Sequence, residues 1–101
     1  MYDKIVQEFK FNPRDVHTAP IRSKAYKWYY VSVENGFLYV EPACHNIPKS
    51  SVQKRKLNRA ECNEILEIYH KRMAGDQVSN KAQECTRSQV YWYGIFSDLN
   101  L

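Results

Sequence analysis

The chain has 101 residues, of which 44% are apolar and 14% aromatic, and 15 Lys or Arg against 11 Asp or Glu leave a net charge of +4. That is enough apolar material for one core without disulfides or a structural metal, so disorder is excluded as the default and a single domain over residues 1–101 is expected. No apolar run approaches the roughly 18–20 residues that cross a bilayer, and Met1 to Glu8 lacks a signal peptide's apolar stretch, so the expectation is a soluble, cytoplasmic protein with no membrane partner.

Tyr2, Ile5, Val6 and Phe9 recur at helical spacing, with Asp3 in the first turn and Lys10 in the last to complement the helix dipole. A short amphipathic helix over Tyr2 to Phe11 follows. Asn12-Pro13 ends it, because proline disfavours the α conformation in the residue before it. Residues 13–27 show no period. A connection that long in so small a domain is either functional or contains a strand without a recognisable pattern.

The strongest local signal is Trp28 to Glu41, where two runs of β-formers flank Asn35-Gly36. Asn and Gly accept positive φ at low cost and suit a type I′ turn, so a two-residue hairpin is expected. Its register would set Glu34 against Phe37, Val31 against Val40 and Tyr30 against Glu41. One face then carries Tyr29, Val31, Val33, Leu38 and Val40 and must be buried. The other carries Trp28, Tyr30, Ser32, Glu34, Phe37, Tyr39 and Glu41.

Pro42 stops the second strand, Ala43 to Ser50 forms a loop, and Ser51 to Leu57 reads as a third, Lys- and Arg-blunted edge strand or as a basic loop. Asn58 is placed as an N-cap, with Glu61 completing a capping box and Leu57 set to contact Cys62. The helix that follows has Cys62, Ile65, Leu66, Tyr69 and Met73 as its buried stripe and Gly75 as its stop. It is expected to cover the apolar face of the hairpin. From Ser79 to Leu99 a 3.6-residue apolar period predicts a last helix, which Thr86-Arg87-Ser88 can break in two with Ser88 as a second N-cap. The fold class is therefore α+β: an N-terminal helix, a three-stranded antiparallel meander, and two C-terminal helices packed on the sheet.

Cys44, Cys62 and Cys85 are odd in number and lack metal-ligand spacing, so reduced thiols and no metal or cofactor are expected. Catalytic motifs are absent from the sequence: no G-x-S-x-G, no phosphate-binding glycine loop and no H-E-x-x-H. A small nuclease built from His17 or His45 with Arg22 or Lys54 carries no local signature and ranks third among the functional readings.

Charge is uneven. Residues 16–60 hold eight Lys or Arg against only Glu34 and Glu41, which favours an anionic partner. The leading reading is a non-enzymatic module that binds nucleic acid through Lys49, Lys54, Arg55, Lys56 and Arg59. In addition, Val78 to Tyr91 resembles a helix-turn-helix unit, with Ser79 capping, Ala82 allowing close helix approach, and Arg87, Ser88 and Gln89 available to base edges. It departs from that pattern, since no turn glycine follows Cys85 and Val90-Tyr91 comes early. The other reading of this segment is an ordinary helix packed on the core.

Trp28, Tyr30, Phe37 and Tyr39 form an aromatic surface that can stack unpaired bases while the basic segment holds phosphates. Against this stand Glu34 and Glu41 on the same face, and a C-terminal helix rich in Tyr91, Trp92, Tyr93 and Phe96 for which this face is the obvious packing site. The alternative function is a protein-binding inhibitor, adaptor or homodimer that buries these aromatics.

Overall fold

The computed structural model describes residues 1–20, 25–76 and 79–101. Its elements in chain order are α1 (Tyr2–Phe11), β1 (Arg14–His17), β2 (Trp28–Glu34), β3 (Phe37–Pro42), β4 (Arg55–Leu57), α2 (Arg59–Met73), α3 (Ser79–Cys85) and α4 (Gln89–Asp98). The fold is α+β, with one antiparallel sheet in the order β1-β2-β3-β4.

The sheet is built outward from β2 and β3. Asn35 and Gly36 sit at φ 52° and 81°, the left-handed region that a tight turn between twisted strands requires. Glu34 pairs with Phe37, Ser32 with Tyr39, Val31 with Val40 and Tyr30 with Glu41. Because side chains alternate along a strand, this register gathers Tyr29, Val31, Leu38 and Val40 on one face, and all four are fully buried.

The sheet has four strands where the sequence suggested three. The extra one, Arg14–His17, pairs with β2 from inside the connection that showed no pattern, and only Val16 in it turns to the core. A four-residue edge strand with one inward apolar side chain has no alternation to read. At the other edge, the strand expected from Ser51 shortens to Arg55–Leu57. The chain before it is otherwise engaged: Trp28 N donates to Pro48 O, Ser50 N donates to Trp28 O, and Val52 drops into the core.

The helices are disposed differently from expectation. Three follow the sheet, not two, because the chain turns at residues 86–88, where Ser88 N donates to Thr86 Oγ1. The helices laid directly on the sheet are α1, against β2 and β3, and α4, against β1; α2 instead packs on α1, α3 and α4. Apolarity decides this. Trp92, Tyr93, Gly94, Ile95 and Phe96 are five consecutive buried residues, so α4 is apolar all round and must be enclosed, by the sheet on one side and α2 on the other. The buried side chains of α2 are Cys62, Ile65, Ile68 and Tyr69, while Met73 stays 60% exposed.

Polar ties fix the layers. The Tyr2 hydroxyl donates to Leu57 O at 2.6 Å and accepts from Leu38 N at 2.9 Å, binding α1 to β3 and β4. Tyr29 donates to Tyr91 O at 2.6 Å. Gly94 is required beneath that ring, because a Cβ there would lie 2.6 Å from His17 O and still closer to the Tyr29 hydroxyl. Asn58 occupies the N-cap of α2, but no side-chain capping bond forms. The Glu61 carboxylate expected to complete the capping box accepts instead from Trp92 Nε1 at 2.9 Å, a buried indole that needs a partner.

Candidate functional site

All the helices that meet the sheet do so on its aliphatic face. Among the described residues, no helix covers the other face. Its side chains run in rows across the strands: His17 beside Trp28, then Asp15, Tyr30 and Glu41, then Ser32, Tyr39 and Lys56, then Glu34 beside Phe37. Trp28, Tyr30 and Tyr39 are half-buried by their neighbours, and Phe37 is exposed. The aromatic C-terminal helix, which had this face as its obvious packing site, lies on the opposite side of the sheet with Tyr29.

The platform extends past the hairpin at the β1 end. His17 packs on Tyr26 at 4.5 Å and on Trp28 at 5.0 Å between ring centroids, and Tyr26 meets Trp28 edge-on at 6.0 Å. Neither His17 nor Tyr26 figured as part of an aromatic surface in the sequence. His17 became legible only once β1 was known as a strand, because its register opposite Trp28 is what puts it there.

At the far end the cations gather. Lys54 Nζ lies 2.6 Å from Glu34 Oε1 and 5.4 Å from the Tyr39 ring centroid, and Lys56 Nζ lies 4.4 Å from the Phe37 ring centroid. The hydrogen bond to Glu34 raises the Lys54 pKa above its ordinary value, which keeps the ammonium charged. Glu34 is thus neutralised by a residue of the basic segment. Ammonium groups over ring faces are cation–π contacts that hold long side chains along the platform.

One corner of this face is closed by a loop. The Asp15 carboxylate accepts from the backbone N–H of Cys44, His45 and Asn46, each at 2.8 Å. Burial pushes the Asp15 pKa up, but the three N–H bonds and His45 outweigh it, and the net direction is down. Tyr30, next to Asp15, has its phenol pKa raised by burial and by the neighbouring Cys44, Glu41 and Asp15. Asp15 therefore works as an anchor for residues 44–46, with its charge already spent.

The basic segment does not form one surface. Lys54 and Lys56 lie on the aromatic face, and Lys49 is exposed beside Trp28, to which it is bridged. Arg55 pairs with Val40 and so points to the helix side, where it donates to Ser88 Oγ at 3.2 Å and lies over Tyr91. Arg59 is paired with Asp3 at 2.5 Å and lies over Tyr2. Arg87 is exposed in the turn between α3 and α4, and Gln89 is half-buried at the start of α4. Trp92 to Phe96 of α4 are buried between sheet and α2, whereas a helix that reads a major groove must stand free of its own core. Val78 and Arg22 lie outside the described residues. His45 is exposed in its loop, and His17 Nδ1 is 2.8 Å from Thr18 O.

The three thiols are free: Cys44 exposed, Cys62 buried, Cys85 between the two. Burial and nearby Glu64 push the Cys85 thiol up to about 11. Among the described residues, no three His, Cys, Asp or Glu side chains are grouped to hold a metal ion, and no helix is long and apolar enough to cross a membrane. No protein-family model, curated protein or solved structure matches the chain.

Proposed function

We propose that the protein binds single-stranded nucleic acid on the open face of its sheet, without catalysing a reaction. The observation that carries this reading is the uncovered aromatic face, ending in Lys54 and Lys56, with Glu34 neutralised at 2.6 Å. Every base has a π face, so a row of Trp28, Tyr30, Phe37 and Tyr39, extended by His17 and Tyr26, suits unpaired bases of any identity. Duplex bases are stacked on each other and offer no such face. Glu41 has no ion-pair partner among the described residues, so the phosphates keep to the Lys54 and Lys56 side. Lys49, exposed beside Trp28 at the other end of the face, adds to the general positive field. Arg55 and Arg59 contribute to the general positive field but not to contacts. Arg87 and Gln89 play no part in base reading.

The test is fluorescence anisotropy with labelled single-stranded RNA, single-stranded DNA and duplex probes at several salt concentrations. Single strands should bind and duplex should not, with affinity falling log-linearly in salt by a slope of about 0.7 per phosphate contact. Tyr39→Ala and Phe37→Ala should each cost about 1–3 kcal/mol, the worth of a stacked base. Bound bases should also quench Trp28, since Trp92 is fully buried and out of reach. No binding of any probe at low salt would end the proposal. A protein partner captured with little salt dependence would then favour the same face as a protein interface, in a heteromer or a homodimer.

A further inference from the structure

A cavity of about 420 Å³ opens at the end of the sheet, on the helix side of Trp28 and apart from the aromatic face. It is walled by the strand ends at Thr18 and Lys27, by Ser50 and Ser51, by Arg72 from α2, and by Tyr91 and Tyr93 from α4. Its size falls within the roughly 300–1,000 Å³ typical of small-ligand sites. Its chemistry is one-sided. Among the described residues, two cations line it and no carboxylate does.

Neither cation forms an ion pair among the described residues. Arg72 lies over the Tyr93 ring at 4.6 Å and gives one N–H to Ala19 O at 3.4 Å, which orients the guanidinium; its fork has five donors, and no other is engaged among the described residues. Lys27 is exposed and forms no ion pair among the described residues. The hydroxyls are donors as well. Thr18 Oγ1 accepts from Lys27 N and Ser50 Oγ accepts from Val52 N, and neither hydroxyl donates to another of the described residues. Val90 and Tyr91 belong to the first turn of α4, whose positive end adds to the same field. Ala19, Pro20, Ala25 and Val90 supply an apolar lining beside these donors.

We infer that this cavity binds a phosphate monoester carried on a small, partly apolar body, the size of a nucleoside monophosphate. Two positive charges match the dianion, and hydroxyl donors with the Arg fork satisfy its oxygens. The ligand is either a free mononucleotide or the phosphorylated end of a strand. The assignment stands independently of the aromatic face.

An NMR titration of the full chain tests it, using adenosine 5′-monophosphate, adenosine and inorganic phosphate as probes. The nucleotide should saturate shifts at Ala19, Lys27, Ser51, Val90 and Tyr91, with adenosine and inorganic phosphate each at least tenfold weaker. Lys27→Gln, at an exposed position that should not disturb folding, should weaken the nucleotide at least tenfold, and Lys56→Gln on the aromatic face should not. No saturable shift, adenosine or inorganic phosphate binding as tightly as the nucleotide, shifts confined to Trp28 and Tyr39, or an unaffected Lys27→Gln would each overturn the inference. A 5′-phosphorylated single strand that displaces the nucleotide where its 5′-hydroxyl counterpart does not marks a strand end as the ligand. Failure of both to displace it marks a free mononucleotide, and either result upholds the phosphate monoester.

Discussion

The substitution Gly94→Ala tests whether α4 is seated against the sheet as closely as the open aromatic face requires. A Cβ at position 94 would meet the carbonyl oxygen of His17 at 2.6 Å and Tyr29 Cζ at 3.1 Å, with the Tyr29 hydroxyl nearer still. The first obstacle is backbone of β1 and cannot rotate away, so α4 must shift. Overpacking of this kind costs about 1–3 kcal/mol. Displacing the Tyr29 hydroxyl from Tyr91 O removes a partly buried hydrogen bond worth about 1 kcal/mol. Alanine's helix propensity returns about 1 kcal/mol relative to glycine. The net loss is therefore about 1–3 kcal/mol, which for a chain of this size lowers Tm by about 4–8 °C per kcal/mol.

A thermal melt followed by circular dichroism, with a urea midpoint as a second measure, reads this out. Tyr29→Phe supplies the control. It destabilises on its own by removing the Tyr29 hydrogen bond to Tyr91 O, yet Gly94→Ala should cost less in that background because one obstacle has gone, a coupling of at least about 0.5 kcal/mol. A Gly94→Ala protein melting at or above the wild type would show that propensity alone is acting. In that case α4 does not rest on β1 and Tyr29, and the argument that the helices leave the aromatic face uncovered fails with it.

Val31→Asp should abolish cooperative unfolding or cost at least about 4 kcal/mol, since it puts a carboxylate at a fully buried position facing Val40; an unchanged melt would reject the register. Asp15 has a folded pKa below its ordinary value of 3.8, so its contribution is fully present above about pH 4 and is lost as pH falls through the folded value. A urea titration across pH 2–6 should show that loss in the wild type and not in Asp15→Asn, and equal slopes in both would refute the anchoring role. Glu34→Gln should tighten single-strand binding by releasing Lys54 from its 2.6 Å partner, with a steeper salt slope; weaker binding by anisotropy would place the phosphates elsewhere. A thiol reagent near neutral pH should modify Cys44 alone in the native protein, because Cys62 is buried and the Cys85 thiol is held at about 11; rapid reaction of two or three thiols would contradict that order.

Some of this architecture lies in short stretches whose meaning does not depend on distant residues. The β-formers around Asn35-Gly36, the helical spacing of Tyr2, Ile5 and Phe9, and the break at Thr86-Arg87-Ser88 are all of that kind, because turn chemistry and side-chain periodicity act within a few residues. Charge composition is likewise visible at once, but its disposition is not. Four consecutive or near-consecutive cations, Lys54, Arg55, Lys56 and Arg59, looked like one surface. A strand sends alternate side chains to opposite faces, so Arg55 went to Ser88 and Tyr91 while Lys54 and Lys56 joined the aromatic rings.

What only the tertiary structure decided is which side of the sheet the helices occupy. The chain carries two aromatic-rich surfaces, and pairing them would bury both. The amino acids alone state that α4 is too apolar to stand in water, but not whether Tyr29 or Tyr30 should cover it. That choice rests on a sum of long-range contacts: Gly94 under Tyr29, Trp92 to Glu61, Tyr2 to Leu38 and Leu57. Each joins residues tens of positions apart and leaves no trace in local spacing. The short strand Arg14–His17 was hidden for the same reason, since its identity comes from the neighbour it pairs with and not from its own four residues.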